Sequence, residues 1–241
     1  MHYQTVIPAV FLARPNRFIA QVEVDGRPEI AHVKNTGRCK ELLVPGCTVY
    51  LSVSDNSARK TKYDLIAVEK QRPGKMPLLV NLDSQAPNDA AEEWLKTGAL
   101  FGPDVRIRRE VTHGDSRFDF YLEVGSRKIF LEVKGCTLES GGEARFPDAP
   151  TERGVKHVSE LAACLDEGYE AFILIVIQMK DVHSFRPNDE THRAFGDALR
   201  AAAEKGVQVL ALDCIVTPDT MVIDKPVPVC LERPEFRKNT L

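Results

Sequence analysis

Residues 116–134 read Ser116-Arg117-Phe118-Asp119-Phe120-Tyr121-Leu122-Glu123-Val124-Gly125-Ser126-Arg127-Lys128-Ile129-Phe130-Leu131-Glu132-Val133-Lys134, two runs of strand-forming residues about a glycine turn. Side chains alternate across a strand, so Arg117, Asp119 and Tyr121 share one face and Phe118, Phe120 and Leu122 the other. In the second run Lys128, Phe130, Glu132 and Lys134 oppose Ile129, Leu131 and Val133. The wholly apolar sets are assigned to the core, which leaves Asp119 and the Glu132-x-Lys134 pair together on the opposite face. With Gly125 and Ser126 as the central residues of a hairpin, paired residue numbers sum to 251 and Asp119 faces Glu132. Two carboxylates about 5 Å apart repel unless a proton or a cation is shared between them. Mg²⁺ or Mn²⁺ meets that need, since a small hard cation takes one or two carboxylates plus water and phosphate oxygens. The spacing therefore predicts a metal site at Asp119 and Glu132, with Lys134 placed to stabilise charge on a scissile phosphate. A solvated strand face of mixed charge is the competing reading, and the wider pattern decides against it.

Working outward, a helix is expected over residues 89–99, where Ala91, Trp94, Leu95 and Ala99 fall at helical spacing, then strands over 105–112, 117–123 and 128–134. Thr151 caps a second helix with Val155, Val158, Leu161, Ala162 and Leu165 on one face, ended by Gly168. The apolar run 172–177 is a buried strand, followed by a helix near 190–205 and a strand over 207–212. The order is αβββαβ, then αβ. Upstream, from Thr5 to about Asn81, five short strands are broken by turns such as Asp25-Gly26, the pattern of a small β-barrel of the OB type. Residues 81–88 are polar and contain Pro87, so the boundary is placed there: a barrel over 1–83 and an α/β domain with a mixed sheet over 84–241.

Of the 241 residues 43% are hydrophobic and 28% charged, a globular balance. The longest apolar run, 171–177, is far short of the roughly 20 residues of a membrane span. Residues 6–13 are apolar, but Pro8 interrupts them and no Lys or Arg precedes them, so no signal peptide is read. Six cysteines without C-x-x-C spacing fit reduced thiols and a cytoplasmic location. Net charge is −3, which excludes a strongly basic nucleic-acid coat. Residues 1–85 hold 12 Lys+Arg against 8 Asp+Glu, leaving 20 against 27 for the rest. A mildly basic front half suits phosphate attraction and an acidic back half suits a cation site.

Phe118-Asp119 followed by Glu132-Val133-Lys134, within that element order, resembles the PD-(D/E)XK nuclease superfamily, with Phe118 where the shorthand has proline. Phe146-Pro147-Asp148-Ala149, Thr151, Arg153-Gly154, Lys156-His157 and Glu160-Leu161 resemble the signature of the sugar fermentation stimulation protein family, SfsA. Asn35-Thr36-Gly37-Arg38, Leu42-Leu43, Pro45-Gly46, residues 51–54 and Arg59-Lys60 extend the likeness through the front domain. The resemblance implies an OB-like N-terminal domain, a restriction-endonuclease-like C-terminal domain, DNA binding and a link to sugar (maltose) utilisation. It gives Arg153, Lys156 and His157 a phosphate-contact role beside the alternative of an i,i+4 surface pair between Lys156 and Glu160. Arg38, Lys40, Arg59, Lys60 and Lys62 occupy two front-domain loops that are expected to converge on one side of the barrel and meet the DNA backbone. Asp148 is a turn residue or a further ligand, and Glu92, Glu93 and Glu110 are candidate third carboxylates. Three functions stand: a Mg²⁺- or Mn²⁺-dependent deoxyribonuclease, a catalytically silent DNA-binding regulator, and a glycosidase. The last ranks lowest, because Lys134 is expected to keep both carboxylates ionised whereas a glycosidase needs one protonated acid. The oligomeric state is left open.

Overall fold

The computed structural model describes residues 1–35, 37–56 and 58–233, so Thr36 of the front-domain motif lies outside the described residues. The first half is built from β1 (Val6–Asn16), β2 (Ile19–Val24), β3 (Arg27–Val33), β4 (Thr48–Val53) and β5 (Tyr63–Lys70). They pair in the order β3-β2-β1-β4-β5, and a parallel contact of β3 with β5 closes the barrel. A sixth strand, β6 (Leu78–Asn81), extends β5 beyond the five expected. Asp25 and Gly26 form the β2–β3 turn, both at positive φ (50° and 74°), with Val24 opposite Arg27. Asp and Gly adopt that left-handed pair of conformations at low cost, which fixes the register of the hairpin.

The second half is a six-stranded mixed sheet with helices on both faces. Its elements are α1 (Ala86–Lys96), β7 (Arg106–His113), β8 (Ser116–Val124) and β9 (Arg127–Cys136). Next come β10 (Leu138–Ser140), β11 (Glu143–Phe146), α2 (Glu152–Ala163), β12 (Glu170–Ile177) and β13 (Ser184–Pro187). The last are α3 (Asp189–Lys205), β14 (Gln208–Val216) and β15 (Met221–Pro226). The sheet order is β15-β14-β12-β9-β8-β7, with β12 parallel to both β9 and β14. Strand β12 is buried along nearly its whole length, as its unbroken apolar run requires. α1 packs Ala90, Ala91 and Leu95 against Leu131 and Val176 on one face, while Val158 and Leu161 of α2 and Phe195 of α3 cover the other. The apolar cluster under α2 and α3 runs on into the barrel interior, including Val22 and Leu51.

Three departures from the sequence reading have physical causes. Helix α1 begins at Ala86, not Asp89, because Pro87 occupies the first turn, where a missing N–H is no loss. Strands β10, β11 and β13 form a separate small sheet, and β15 lies at the edge of the main one. Each of these four is short or mixed in polarity and has no period that a sequence scan detects. The helix capped by Thr151 ends at Ala163, and a 3-10 turn over Cys164–Glu167 carries the chain to Gly168 at φ 83°. The first three residues cross to the second half, where His2 bridges Thr220 and the Tyr3 N–H donates to Asp219.

Candidate functional site

The Gly125-Ser126 turn sets the expected register, from Val124 opposite Arg127 to Phe120 opposite Leu131. The ladder ends there, one residue short of the carboxylates. On the other side, β7 pairs Arg109 with Phe120 and Val111 with Phe118, and between them Glu110 sits at φ 54°. Asp119 thus stands in a gap of both ladders, and its own side chain fills one of them: Oδ2 accepts the Val133 N–H at 2.8 Å. The break also shifts the alternation, so the expected face of Phe118 is corrected. Phe118 packs with Phe130 (ring centroids 5.0 Å apart) on the α2 side, while Phe120 and Leu122 lie on the α1 side.

Helices from opposite faces steady the two carboxylates. Asn88, in the first turn of α1, donates from Nδ2 to Asp119 Oδ1 at 2.8 Å. Glu132 is 2% exposed, and its Oε1 accepts from Lys134 Nζ and from His157 Nδ1 of α2, both at 2.6 Å. Arg153 Nε donates to His157 Nε2 at 3.3 Å, so that nitrogen is the acceptor and the proton sits on Nδ1, directed at Glu132. Burial pushes the Glu132 carboxyl up, but the His157 and Lys134 donors outweigh it and hold the group below the usual range. Asp119 goes the other way, raised by burial and by the negative charge of Glu132. Lys134 thus favours the charged form of both carboxylates, and the two differ because burial and the negative charge of Glu132 outweigh it only at Asp119.

Glu132 Oε2 is buried without a hydrogen-bond partner. An orphaned carboxylate oxygen beside a second, electrostatically strained carboxylate is a donor set that fits a hard divalent cation. Among the described residues no group of three or more His, Cys, Asp or Glu forms a complete cage, so the fit rests on two carboxylates, the minimum for a cation that keeps its waters. The cleft holds about 260 Å³ and is walled by Asn88, Glu110, Lys134 and Arg153 besides the pair.

The remaining sequence candidates separate. Lys134, Arg153 and His157 line the cleft, with His157 buried as the partner of Glu132 and not a surface cation. Lys156 points away, its Nζ 3.3 Å from the Asp115 carbonyl and 3.5 Å from Glu160. Arg38 and Lys40 line a hollow on the barrel, while Arg59 is held in a two-bond pair with Asp64 (2.8 and 2.6 Å) and lines no part of it, nor do Lys60 and Lys62. The expected convergence of the two loops is corrected. β3 and β5 run parallel where they meet, so the loop leaving one and the loop entering the other diverge. Asp148 lies over Gly37 in the interdomain contact, outside the cleft. Glu92 pairs with Lys96 and Arg109, and Glu93 with the N-terminal amine. Glu110 does line the cleft. Asn88 falls in the polar stretch 81–88 assigned to the domain boundary, and the sequence signal for its role is Pro87 as a first-turn residue of α1.

The model described as "Sugar fermentation stimulation protein RE domain" matches residues 85–220, and that described as "SfsA N-terminal OB domain" matches residues 12–77. A "Sugar fermentation stimulation protein homolog" of Desulfitobacterium hafniense is 57% identical over 221 residues, covering 92% of this chain and 94% of the relative. One from Ruminiclostridium cellulolyticum is 53% identical over 231 residues, covering 96% and 100%. A solved structure titled "The structure of Pyrococcus Furiosus SfsA in complex with Ca2+" superposes with a TM-score of 0.84 at 30% identity, covering 95% of this chain and 97% of that one. Matched in both halves and along nearly its whole length, the chain belongs to the sugar fermentation stimulation protein family.

Proposed function

We propose that the chain is a divalent-metal-dependent deoxyribonuclease, with Mg²⁺ or Mn²⁺ held by Asp119 and Glu132. The observation that carries this reading is the buried, partnerless Oε2 of Glu132, a residue that lines a cleft whose other carboxylate is raised by burial and by repulsion from Glu132. A solved relative is described in complex with Ca²⁺, which supports a divalent-cation site in this chain. When bound, the cation would supply Lewis-acid polarisation of a phosphoryl oxygen and a more acidic water. Lys134, anchored on Glu132, offers an ammonium to the negative charge that grows on the phosphate. His157 and Asn88 hold the two carboxylates at fixed angles, and Arg153 presents its guanidinium at the cleft wall.

The test is incubation of the purified protein with single-stranded, linear, supercoiled and branched DNA in EDTA, Mg²⁺ or Mn²⁺. Cleavage is expected with metal and not with EDTA, and Asp119→Ala and Lys134→Ala should each slow it about a hundredfold or more. Binding without cleavage under every metal condition would replace this reading with that of a silent DNA-binding regulator.

A further inference from the structure

The active-site cleft continues past Thr151. Ser84, Gly135, Phe146 and Thr151 also wall a hollow of about 440 Å³ between the barrel and the second half of the chain. That hollow shares Arg17 and Gly37 with a third, of about 270 Å³, whose rim carries Arg38 and Lys40. The three form one groove from Asp119 and Glu132 to the barrel. Its cations lie at the ends, Lys134 and Arg153 at one and Arg17, Arg38 and Lys40 at the other, while Pro147, Asp148, Ala149 and Pro150 lie between.

The groove is held at a fixed width. Lys34 Nζ meets Asp83 at 2.5 Å, Ser84 Oγ donates to the Lys34 carbonyl at 2.6 Å, and Gln178 Nε2 donates to Asn81 and to the Asp83 carbonyl. Arg14 spans the barrel end, donating to the carbonyls of Arg17, Asn35, Gly37 and Arg38 at 2.7–2.9 Å. Arg14 is thus a strut of the loop, and Arg17, Arg38 and Lys40 are the cations it presents. At this end Phe18 is 44% exposed, and the Arg17 guanidinium lies 4.7 Å from its ring centroid.

Size and stacking narrow the ligand. The three hollows, of about 260, 440 and 270 Å³, lie just below or in the lower part of the roughly 300–1,000 Å³ range of small-ligand pockets, the scale of single nucleotides. Hollows of a few hundred Å³ do not hold both strands of a duplex. An exposed ring and guanidinium together stack on the face of an unpaired base, a face that pairing and stacking hide in a duplex. We infer that the groove binds an unpaired DNA strand, with its phosphates at Arg17, Arg38 and Lys40, a base on Phe18, and the strand led to Asp119 and Glu132. The inference rests on the phosphodiester reading above and narrows its substrate to single-stranded or overhanging DNA.

The test is fluorescence anisotropy of the full chain in EDTA, with a labelled oligothymidine of about twenty nucleotides and a blunt hairpin duplex of equal phosphate number. The single strand should bind about tenfold tighter or more. Phe18→Ala should weaken the single strand about fivefold or more and leave the hairpin unchanged, and Phe18→Trp should restore it. Unchanged hairpin binding shows that Phe18→Ala remains folded. Equal or tighter binding of the hairpin, or equal losses on both probes, would overturn the inference. EDTA keeps the two readings apart. Strand preference without any metal-dependent cleavage defeats the proposed reaction alone, and metal-dependent cutting of duplex with no effect of Phe18 defeats the groove alone.

Discussion

At Asp119 and Glu132 two acids have been brought together at a local cost. Leaving a buried acceptor without a donor costs about 1–3 kcal/mol, and Glu132 Oε2 is such an acceptor. An isosteric change isolates the electrostatic part. Asp119→Asn keeps an oxygen for the Val133 N–H, and the Asn88 amide can turn to accept from the new NH₂. We expect this variant, without metal, to melt at or above the native temperature by the equivalent of about 1 kcal/mol. Mn²⁺ should stabilise the native protein, by about 2.7 kcal/mol at a hundred times its Kd, and leave Asp119→Asn unmoved. Equal Mn²⁺ shifts in the two proteins would show that the cation does not use Asp119. The acidic pair and Lys134 were legible because period-two alternation and a two-residue turn determine which residues meet. Asn88, His157 as a buried partner, and the face of Phe118 were not, since each depends on a break in the ladder or on a helix docked from far along the chain.

At the level of elements, Gly135 joins the strand that carries Glu132 and Lys134 to the helix that carries Asn88. A methyl group there would lie 2.6 Å from Gln178 Oε1 and 2.7 Å from Pro87 Cγ, closer than carbon tolerates. The Gln178 amide is held by three hydrogen bonds and the proline ring is rigid, so neither yields easily. Gly135→Ala should cost about 1–3 kcal/mol in urea denaturation. It should also lower cleavage more than stability accounts for, because a displaced first turn of α1 takes Asn88 off Asp119. Full activity at unchanged stability would mean that α1 and β9 slide past each other freely. The main elements were readable from the sequence because each has a sustained period: helical in α2 and α3, alternating in β2, unbroken in β12. Four-residue strands such as β11 and β13 exist by virtue of their partners and carry no such signal.

Across the whole molecule, the two halves meet through buried charge as well as apolar surface. Lys70 of β5 donates to Glu139 of β10, to the carboxylate at 2.5 Å and to its carbonyl at 2.6 Å. Burial pushes the Glu139 carboxyl up, yet the Lys70 ammonium and the Gly142 N–H outweigh it and hold the group below the usual range. A carboxyl depressed on folding contributes stability above its unfolded pKa of about 4.3, and that contribution is lost as pH falls through the lower folded value. Glu139→Gln should therefore destabilise the protein at pH 7 by about 1–2 kcal/mol, and the melting temperatures of variant and native should converge as pH falls below about 4. A difference that persists undiminished into acid would assign the effect to packing and not to charge.

The apolar cluster that joins Val22 and Leu51 of the barrel to Ile173 and Phe195 beneath α2 and α3 bears on how the chain acquires its shape. Contacts that link the barrel to elements more than a hundred residues later close long loops, which slows folding because chain entropy is lost before those contacts form. The barrel closes on itself through the pairing of β3 with β5, and the seam it shares with the second half forms only once the later elements are made. During synthesis the apolar residues of that seam are the part of the front half left open longest, since their partners lie beyond residue 170.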